Sequence, residues 1–261
     1  MIRVGVFGAG GRMGEAVCRA ILDSADTDLV AAVDPAHAGE TVPGTGLSIS
    51  AEPAQIAAES ADVTVDFTVA SAARDNLRWC AAHEIHAVVG TTGFTADDLD
   101  EFAELFQHVN ANALIAPNFA IGAVLMMRFA EQSAPWFETA EILEFHHDAK
   151  ADAPSGTAIS TAQRMVAASK EWAVDPTTTV VAEGARGGLV PAGDDAAIRV
   201  HSVRMRGMIA SQEVLLGTKG QTLSIRHDTF DRDSFMPGVL LAVRRVAELQ
   251  GLTMGLDVLL T

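Results

Sequence analysis

The sequence predicts an α/β protein: an N-terminal Rossmann-like, doubly wound parallel sheet, then a second α+β domain with a mixed, largely antiparallel sheet. Three observations carry this. Apolar strands alternate with helical stretches over residues 1–117, a glycine-rich turn joins the first strand to the first helix, and the later strands run on with short links between them.

Taken in order, Ile2 to Gly8 alternates β-branched and small residues, Glu15 to Leu22 has helical spacing, and Asp28 to Asp34 reads as a second strand. Further apolar strands are expected at Asp62 to Thr68, His86 to Gly90 and Ala113 to Ala116, with helices near Ala70 to Ala82 and Asp97 to Gln107 between them. The pattern changes after Pro117-Asn118. A Met-rich helix over Ile121 to Ala134, with Met126 and Met127 as core filling, precedes a strand at Thr139 to Phe145 and a helix at Thr157 to Ser169. Strand-like runs follow at Thr178 to Ala182, Ala197 to Val203, Gln212 to Gly217 and Gln221 to His227, and the last three have no helix between them. Phe235 to Leu249 is again helical in period. The expected domains are therefore a dinucleotide-binding domain at 1–117, completed by a C-terminal helix over 230–261, and a substrate-binding and tetramerisation domain at 118–229.

Composition narrows the function classes. With 261 residues, 49% of them hydrophobic, and 22 Gly against 9 Pro, the chain can bury two cores and is neither disordered nor fibrous. A net charge of -16 repels phosphate polymers, so neither nucleic acid nor an anionic membrane is an expected partner. An anionic ligand would then need locally concentrated cations, which draws attention to Arg12, Lys150, Arg204, Arg206 and Arg232. Two cysteines, Cys18 and Cys80, do not make a disulfide framework and suit a reducing cytoplasm. No signal peptide is expected at Met1 to Phe7, and no run approaches the ~20 apolar residues of a membrane span.

The first domain reads as a dinucleotide site. Gly8-Ala9-Gly10-Gly11-Arg12-Met13-Gly14 lets backbone approach a pyrophosphate at a helix N-terminus, although Met13 stands where G-x-G-x-x-G has its third glycine. Asp34 closes the second strand about twenty residues further on, where an acid accepts from the adenosine ribose hydroxyls. Asp66-Phe67-Thr68 and Gly90-Thr91-Thr92-Gly93 fall at carboxyl ends of parallel strands, so Phe67, Gly90, Thr91 and Thr92 are candidate nicotinamide contacts, with ordinary turn chemistry as the alternative. Ala116-Pro117-Asn118-Phe119 is a hinge placed above such a cofactor.

The second domain carries a denser signal. From Glu144 to Thr157 the chain gathers the tandem pair His146-His147, the ammonium of Lys150, and Ser155-Gly156-Thr157 after Pro154, a turn that can start a helix with free amides. Such a segment can hold a carboxylate and protonate a group beside it. The plainer alternatives are a buried histidine with a solvent-facing neighbour, and a helix cap with no ligand. No metal site is expected, because adjacent histidines on a strand point to opposite faces and no further ligand follows at the right spacing.

Together, the glycine turn, Gly90-Thr91-Thr92-Gly93, Pro117-Asn118-Phe119 and the His146 to Thr157 block resemble the dihydrodipicolinate reductase (4-hydroxy-tetrahydrodipicolinate reductase) family over essentially the whole chain. The resemblance implies a cytoplasmic homotetramer that reduces a cyclic dicarboxylate to tetrahydrodipicolinate with NADH or NADPH, on the route to diaminopimelate and lysine. It further implies that His146 donates or accepts the proton and that Lys150 assists protonation and binds a substrate carboxylate. His147, Ser155, Gly156 and Thr157 would complete the carboxylate cradle, and Arg232 falls where the family has an arginine near the domain return. Pro35 follows Asp34 where many relatives place a basic residue, which tilts the expectation toward NADH. Ser211-Gln212-Glu213 also stands where many relatives have a histidine. The rival readings are another two-domain nicotinamide-dependent dehydrogenase of amino-acid metabolism, such as a semialdehyde dehydrogenase with a reactive cysteine, and a dinucleotide-sensing module without turnover.

Overall fold

The structure, a computed structural model, describes residues 1–177, 179–180, 182, 187–193 and 196–260. In chain order it begins with β1 (Ile2–Phe7), α1 (Arg12–Asp23), β2 (Thr27–Val33), α2 (Ala54–Ala58), β3 (Val63–Asp66), α3 (Ala70–Ala82), β4 (His86–Val89), α4 (Ala96–Gln107) and β5 (Ala113–Ile115). There follow α5 (Ile121–Ser133), β6 (Thr139–His146), α6 (Gly156–Ala168), β7 (Gly188–Pro191), β8 (Ala197–Arg204), β9 (Ala210–Thr218) and β10 (Gln221–Thr229), and the chain ends with α7 (Met236–Arg245) and β11 (Leu252–Met254). Two compact units result: Met1–Ile121 with Arg232–Thr261, and Gly122–Asp231.

The first unit is a six-stranded parallel sheet in the order β11-β5-β4-β3-β1-β2. Its strands are short and apolar on both sides, as a sheet covered on both faces requires. On one face Phe7, Val33, Ala87, Val89 and Ile115 meet Ile56 of α2, Leu77 of α3, and Phe102 and Phe106 of α4. The opposite residues Val4, Val6, Val65, Val88 and Leu114 are also buried, on the side where α1 and α7 pack together. Helix α4 starts with a reciprocal capping box between Thr95 and Asp98, and Asp98 also accepts from Arg74 of α3, which ties the two helices.

The second unit has a five-stranded sheet in the order β10-β9-β6-β8-β7. Only β6 and β8 are parallel, so the sheet is mixed and largely antiparallel, as its short links predict. Helices α5 and α6, with the 3-10 turn after α5, cover one face through Ala130, Ala134, Ala162 and Met165, which pack on Ile142, Ile198, Val200, Val214 and Leu216. Met126 and Met127 are buried.

Several elements differ from the sequence expectation, α2 among them, since no helix is expected between Asp34 and Asp62. The expected C-terminal helix over 230–261 is corrected to the shorter α7 with flanking 3-10 turns, followed by β11, which pairs in parallel with β5 as the edge strand. Gly251 and Gly255, with φ of +62° and +86°, bracket this strand in a left-handed conformation that a helix cannot continue through. The expected strand at Thr178 to Ala182 lies partly outside the described residues, and Thr179, Val180 and Ala182 belong to no strand. Strand β7 was not anticipated, since Gly188 and Pro191 obscure its alternation. Among the described residues, no helix is long and apolar enough to cross a membrane.

Candidate functional site

In the first unit, the expected cofactor residues collect at the carboxyl ends of the parallel strands. Gly8 turns the chain out of β1 with φ +72°, its N–H donating to the Val33 carbonyl at 2.7 Å, and Gly11 donates to the Gly8 carbonyl at 3.0 Å. Helix α1 then begins at Arg12 with no side chain capping its N-terminus. Gly14, not position 13, is the close-packing glycine: a Cβ there would lie 2.0 Å from the Gly8 carbonyl oxygen, so Met13 is tolerated one residue earlier. The helix can therefore sit tightly on the turn, with its first amides uncapped, and this arrangement fits a pyrophosphate.

Asp34 follows β2 and is almost fully buried. Its carboxylate accepts from the N–H of Gly10 at 3.1 Å and of Ala36 at 3.0 Å, which locks the acid to the glycine turn. His37 is a neighbour that sequence reasoning missed. Its Nδ1 lies 3.0 Å from Asp34 Oδ2, close enough for an ion pair but too misaligned for a hydrogen bond. The ring fills the space where Gly10 lacks a Cβ.

At the end of β3, Asp66 is a buried organiser. It accepts from Thr68 N at 2.8 Å, Thr68 Oγ1 at 2.7 Å, Asn76 Nδ2 at 2.7 Å and Thr91 Oγ1 at 3.3 Å, so one carboxylate fixes the turns after β3 and β4. Gly90 is needed because a Cβ would strike the Phe67 ring at 2.0 Å. Phe67 also packs on Phe119, with centroids 5.6 Å apart. Phe119 and Ala116 are buried, whereas Thr92 and Pro117 are exposed, and Asn118 accepts from the N–H of Ala120 at 2.9 Å. Phe119 is thus placed to support Phe67 from inside the unit.

In the second unit, strand period brings Glu144 and His146 to the same face of β6, while His147 lies beyond the strand, exposed. His146 Nδ1 is 2.5 Å from Glu144 Oε2. Glu144 is 0% exposed and receives both terminal nitrogens of Arg204 at 2.8 Å, together with the N–H of Ser155 at 3.2 Å. Burial pushes the Glu144 carboxyl up, but the hydrogen bonds from Arg204, Ser202 and His146 outweigh it and hold the pKa below the ordinary 4.5. For His146, burial lowers the pKa below 6.5; the Glu144 carboxylate opposes this, while Lys150 and Arg204 add to it.

Ser155 caps α6, its Oγ accepting from the N–H of Ala158 at 3.2 Å. Gly156 then opens the helix with nothing within 4 Å of where its Cβ would be. Gly156 and Thr157 are the first two residues of α6, where a helix leaves its N–H groups without intrahelical acceptors, as a carboxylate cradle requires. Lys150 donates to Asp152 Oδ1 at 2.7 Å. Lys150, His147 and the start of α6 belong to this unit with His146, whereas Arg232 lies in a 3-10 turn, Arg232–Phe235, of the other.

One alternative loses ground on this geometry. Burial pushes the thiols of Cys18 and Cys80 up to about 12, so neither supplies the reactive thiolate of a semialdehyde dehydrogenase. Among the described residues, no group of three His, Cys, Asp or Glu is placed to hold a metal ion.

His86, His146 and His227 are all held below 6.5 by burial. Below that pH the unfolded chain binds protons that these folded histidines still refuse, so acid favours unfolding. Stability is expected to fall from about pH 6.5 downward until the folded groups protonate, as read by urea midpoints across the pH range. A midpoint that rises on acidification through this window would contradict the burial.

The comparisons with known proteins agree with this layout. The family model described as dihydrodipicolinate reductase, N-terminus, matches residues 2–119, and the one described as its C-terminus matches residues 122–260. The 4-hydroxy-tetrahydrodipicolinate reductase of Cutibacterium acnes is 49% identical, over 100% of this chain and 99% of that protein. Its namesake from Thermobifida fusca is 51% identical over 100% and 99%. A solved structure, dipicolinate-bound dihydrodipicolinate reductase from Paenisporosarcina sp. TG-14, superposes with a TM-score of 0.86 at 36% identity, covering 98% of both chains. With models for both halves and full-length relatives near half identity, the chain belongs to the dihydrodipicolinate reductase family.

Proposed function

We propose that this chain catalyses the NADH- or NADPH-dependent reduction of 4-hydroxy-tetrahydrodipicolinate, through its dehydrated ring, to tetrahydrodipicolinate in the route to diaminopimelate and lysine. One observation carries the reading beyond family membership: a titratable imidazole, a lysine and an open helix N-terminus are gathered in one unit at the end of β6. Bound dipicolinate in the Paenisporosarcina relative supports a cyclic dicarboxylate as the ligand of that cluster.

The uncapped start of α1 would hold the pyrophosphate, Asp34 the adenosine ribose, and the turns around Phe67 and Gly90 to Thr92 the nicotinamide. When bound, the cofactor supplies a hydride. The chain supplies the rest: the amides of Gly156 and Thr157 bind a carboxylate, Lys150 adds a cation by leaving Asp152, and His146 holds the proton that the reduced ring must gain. These fixed local charges oppose the repulsion of a dicarboxylate by a chain of net charge -16.

The reading extends to a homotetramer in the cytoplasm. The sheet face opposite α5 and α6 carries Leu143, Phe145 and Leu215, with Arg226 stacked 5.3 Å over the Phe145 ring, a surface suited to meeting its own copy. Light scattering on the full chain tests the assembly.

The direct test of activity is loss of NADH absorbance on adding freshly made condensation product of aspartate semialdehyde and pyruvate. No turnover with either cofactor would end the proposal. Asp34→Ala is expected to raise the KM for NADH roughly tenfold, since a hydrogen bond to a charged group contributes about 1.5 to 3 kcal/mol. NADPH should lose less, because the 2′-phosphate no longer meets a carboxylate. Cofactor kinetics that do not change would remove Asp34 from the site, and a melting curve separates this from loosening of the glycine turn that Asp34 also holds.

A further inference from the structure

Glu144 is buried deeper than any other carboxylate in its unit among the described residues, and both its oxygens receive donors. Oε1 receives Arg204 Nη2 and the N–H of Ser155, and Oε2 receives Arg204 Nη1 and faces His146 Nδ1. An oxygen so placed beside a guanidinium has no proton to give. The short contact with His146 is then attractive only when Nδ1 carries the hydrogen, because an unprotonated Nδ1 would set lone pair against lone pair. Free neutral imidazole has no such obligation.

We propose that Glu144, clamped by Arg204, is a positioning residue that keeps the Nδ1 proton on His146 and so leaves Nε2 as the nitrogen that passes a proton to the substrate. This rests on the functional reading above and deepens it. In the cycle, protonated His146 loses one proton from Nε2 to the ring that has accepted a hydride, returns to the neutral Nδ1–H form, and regains the Nε2 proton from water. The Nδ1 proton never leaves.

The same carboxylate fixes where the imidazole stands. Arg204 reaches Glu144 from β8, sixty residues away in the chain, and its Nη2 also donates to the Asp152 carbonyl at 2.6 Å, inside the loop that leads to α6. Glu144 accepts from Ser155, which caps α6. One buried ion thus sets the imidazole relative to the amides of Gly156 and Thr157. The other groups near the pair are Lys150, held by Asp152, on the loop, Ser202 on β8, and Gln212, opposite Glu144 on β9, whose Oε1 has no partner and whose Nε2 donates to Thr161. Of these, only Glu144 favours the charged form of His146, whereas Lys150 and Arg204 oppose it.

The first test uses the unaltered full-length protein with [15N]histidine, the His146 signals being assigned by their loss in His146→Gln. Above the titration of His146, Nδ1 is expected to be pyrrole-like and Nε2 pyridine-like; the reverse tautomer would overturn the proposal. This readout needs no turnover, so it stands apart from the reductase assay, whose failure would remove the functional reading alone. The second test is the pH profile of kcat/KM for Glu144→Gln. Its acid-dependent limb should move to lower pH and activity near neutrality should fall at least about tenfold, part of the ~10²- to 10⁴-fold that a positioned acid contributes, while the Kd for NADH stays within about twofold of the parent. A variant that folds and keeps the parent profile would overturn the role.

Discussion

His146→Gln is expected to lower kcat by ~10²- to 10⁴-fold, about 3 to 5 kcal/mol in the barrier, while the Kd for NADH stays unchanged. Glutamine is polar and close in size, but it carries no titrating proton. The clamp between Glu144 and Arg204 survives the change, because Arg204 and Ser155 still supply three of the donors to Glu144. The proposed cofactor residues all belong to the other unit, so a fall in NADH affinity as large as the fall in kcat would count against His146 as the proton-handling group. The parent should also lose activity as pH rises through the lowered pKa of His146, because only the protonated ring can donate. The variant should lack that decline.

Gly14→Ala is the other large effect, and it acts through packing. The new Cβ would meet Gly8 O at 2.0 Å, Gly8 C at 2.7 Å and Ala9 Cα at 2.8 Å, all of them backbone atoms with no rotamer to escape into. Overpacking of a core costs about 1 to 3 kcal/mol when side chains can adjust, and here the helix itself must back away from the turn. Affinity for NADH is expected to fall at least roughly a hundredfold, the equivalent of about 3 kcal/mol, with a lower melting temperature. Fluorescence titration and a thermal melt check both. Parent-like affinity and melting would show that α1 does not depend on close approach at this point.

That glycine also illustrates what could be read in the chain. The alternation of apolar strands and helical stretches identified the parallel sheet, and Asp34 marked the end of β2, since both signals are local and periodic. Close contact between Gly14 and Gly8 was hidden, because three glycines in four positions offer several registers and only the backbone path selects one. The His146 to Thr157 segment was legible because its groups are consecutive. Arg204 was only one cation to watch, and its bond to Glu144 spans sixty residues between parallel strands. His37 follows a proline turn with no pattern to announce it. The three residues of β11 are too few to show a period, and pairing with β5 alone makes them a strand.

That last strand has consequences for how the polypeptide is made. Asn112, just before β5, accepts from the N–H of Gly251, just before β11, at a sequence separation of 139. A ribosome must therefore extend the chain far beyond β5 before the N-terminal sheet gains β11, while the continuous stretch Gly122–Asp231 can collapse as soon as it emerges. Until then β5 presents bare amides and carbonyls to any passing strand, so translation stalled or clipped before Leu252 should yield aggregates in preference to a trimmed but working product.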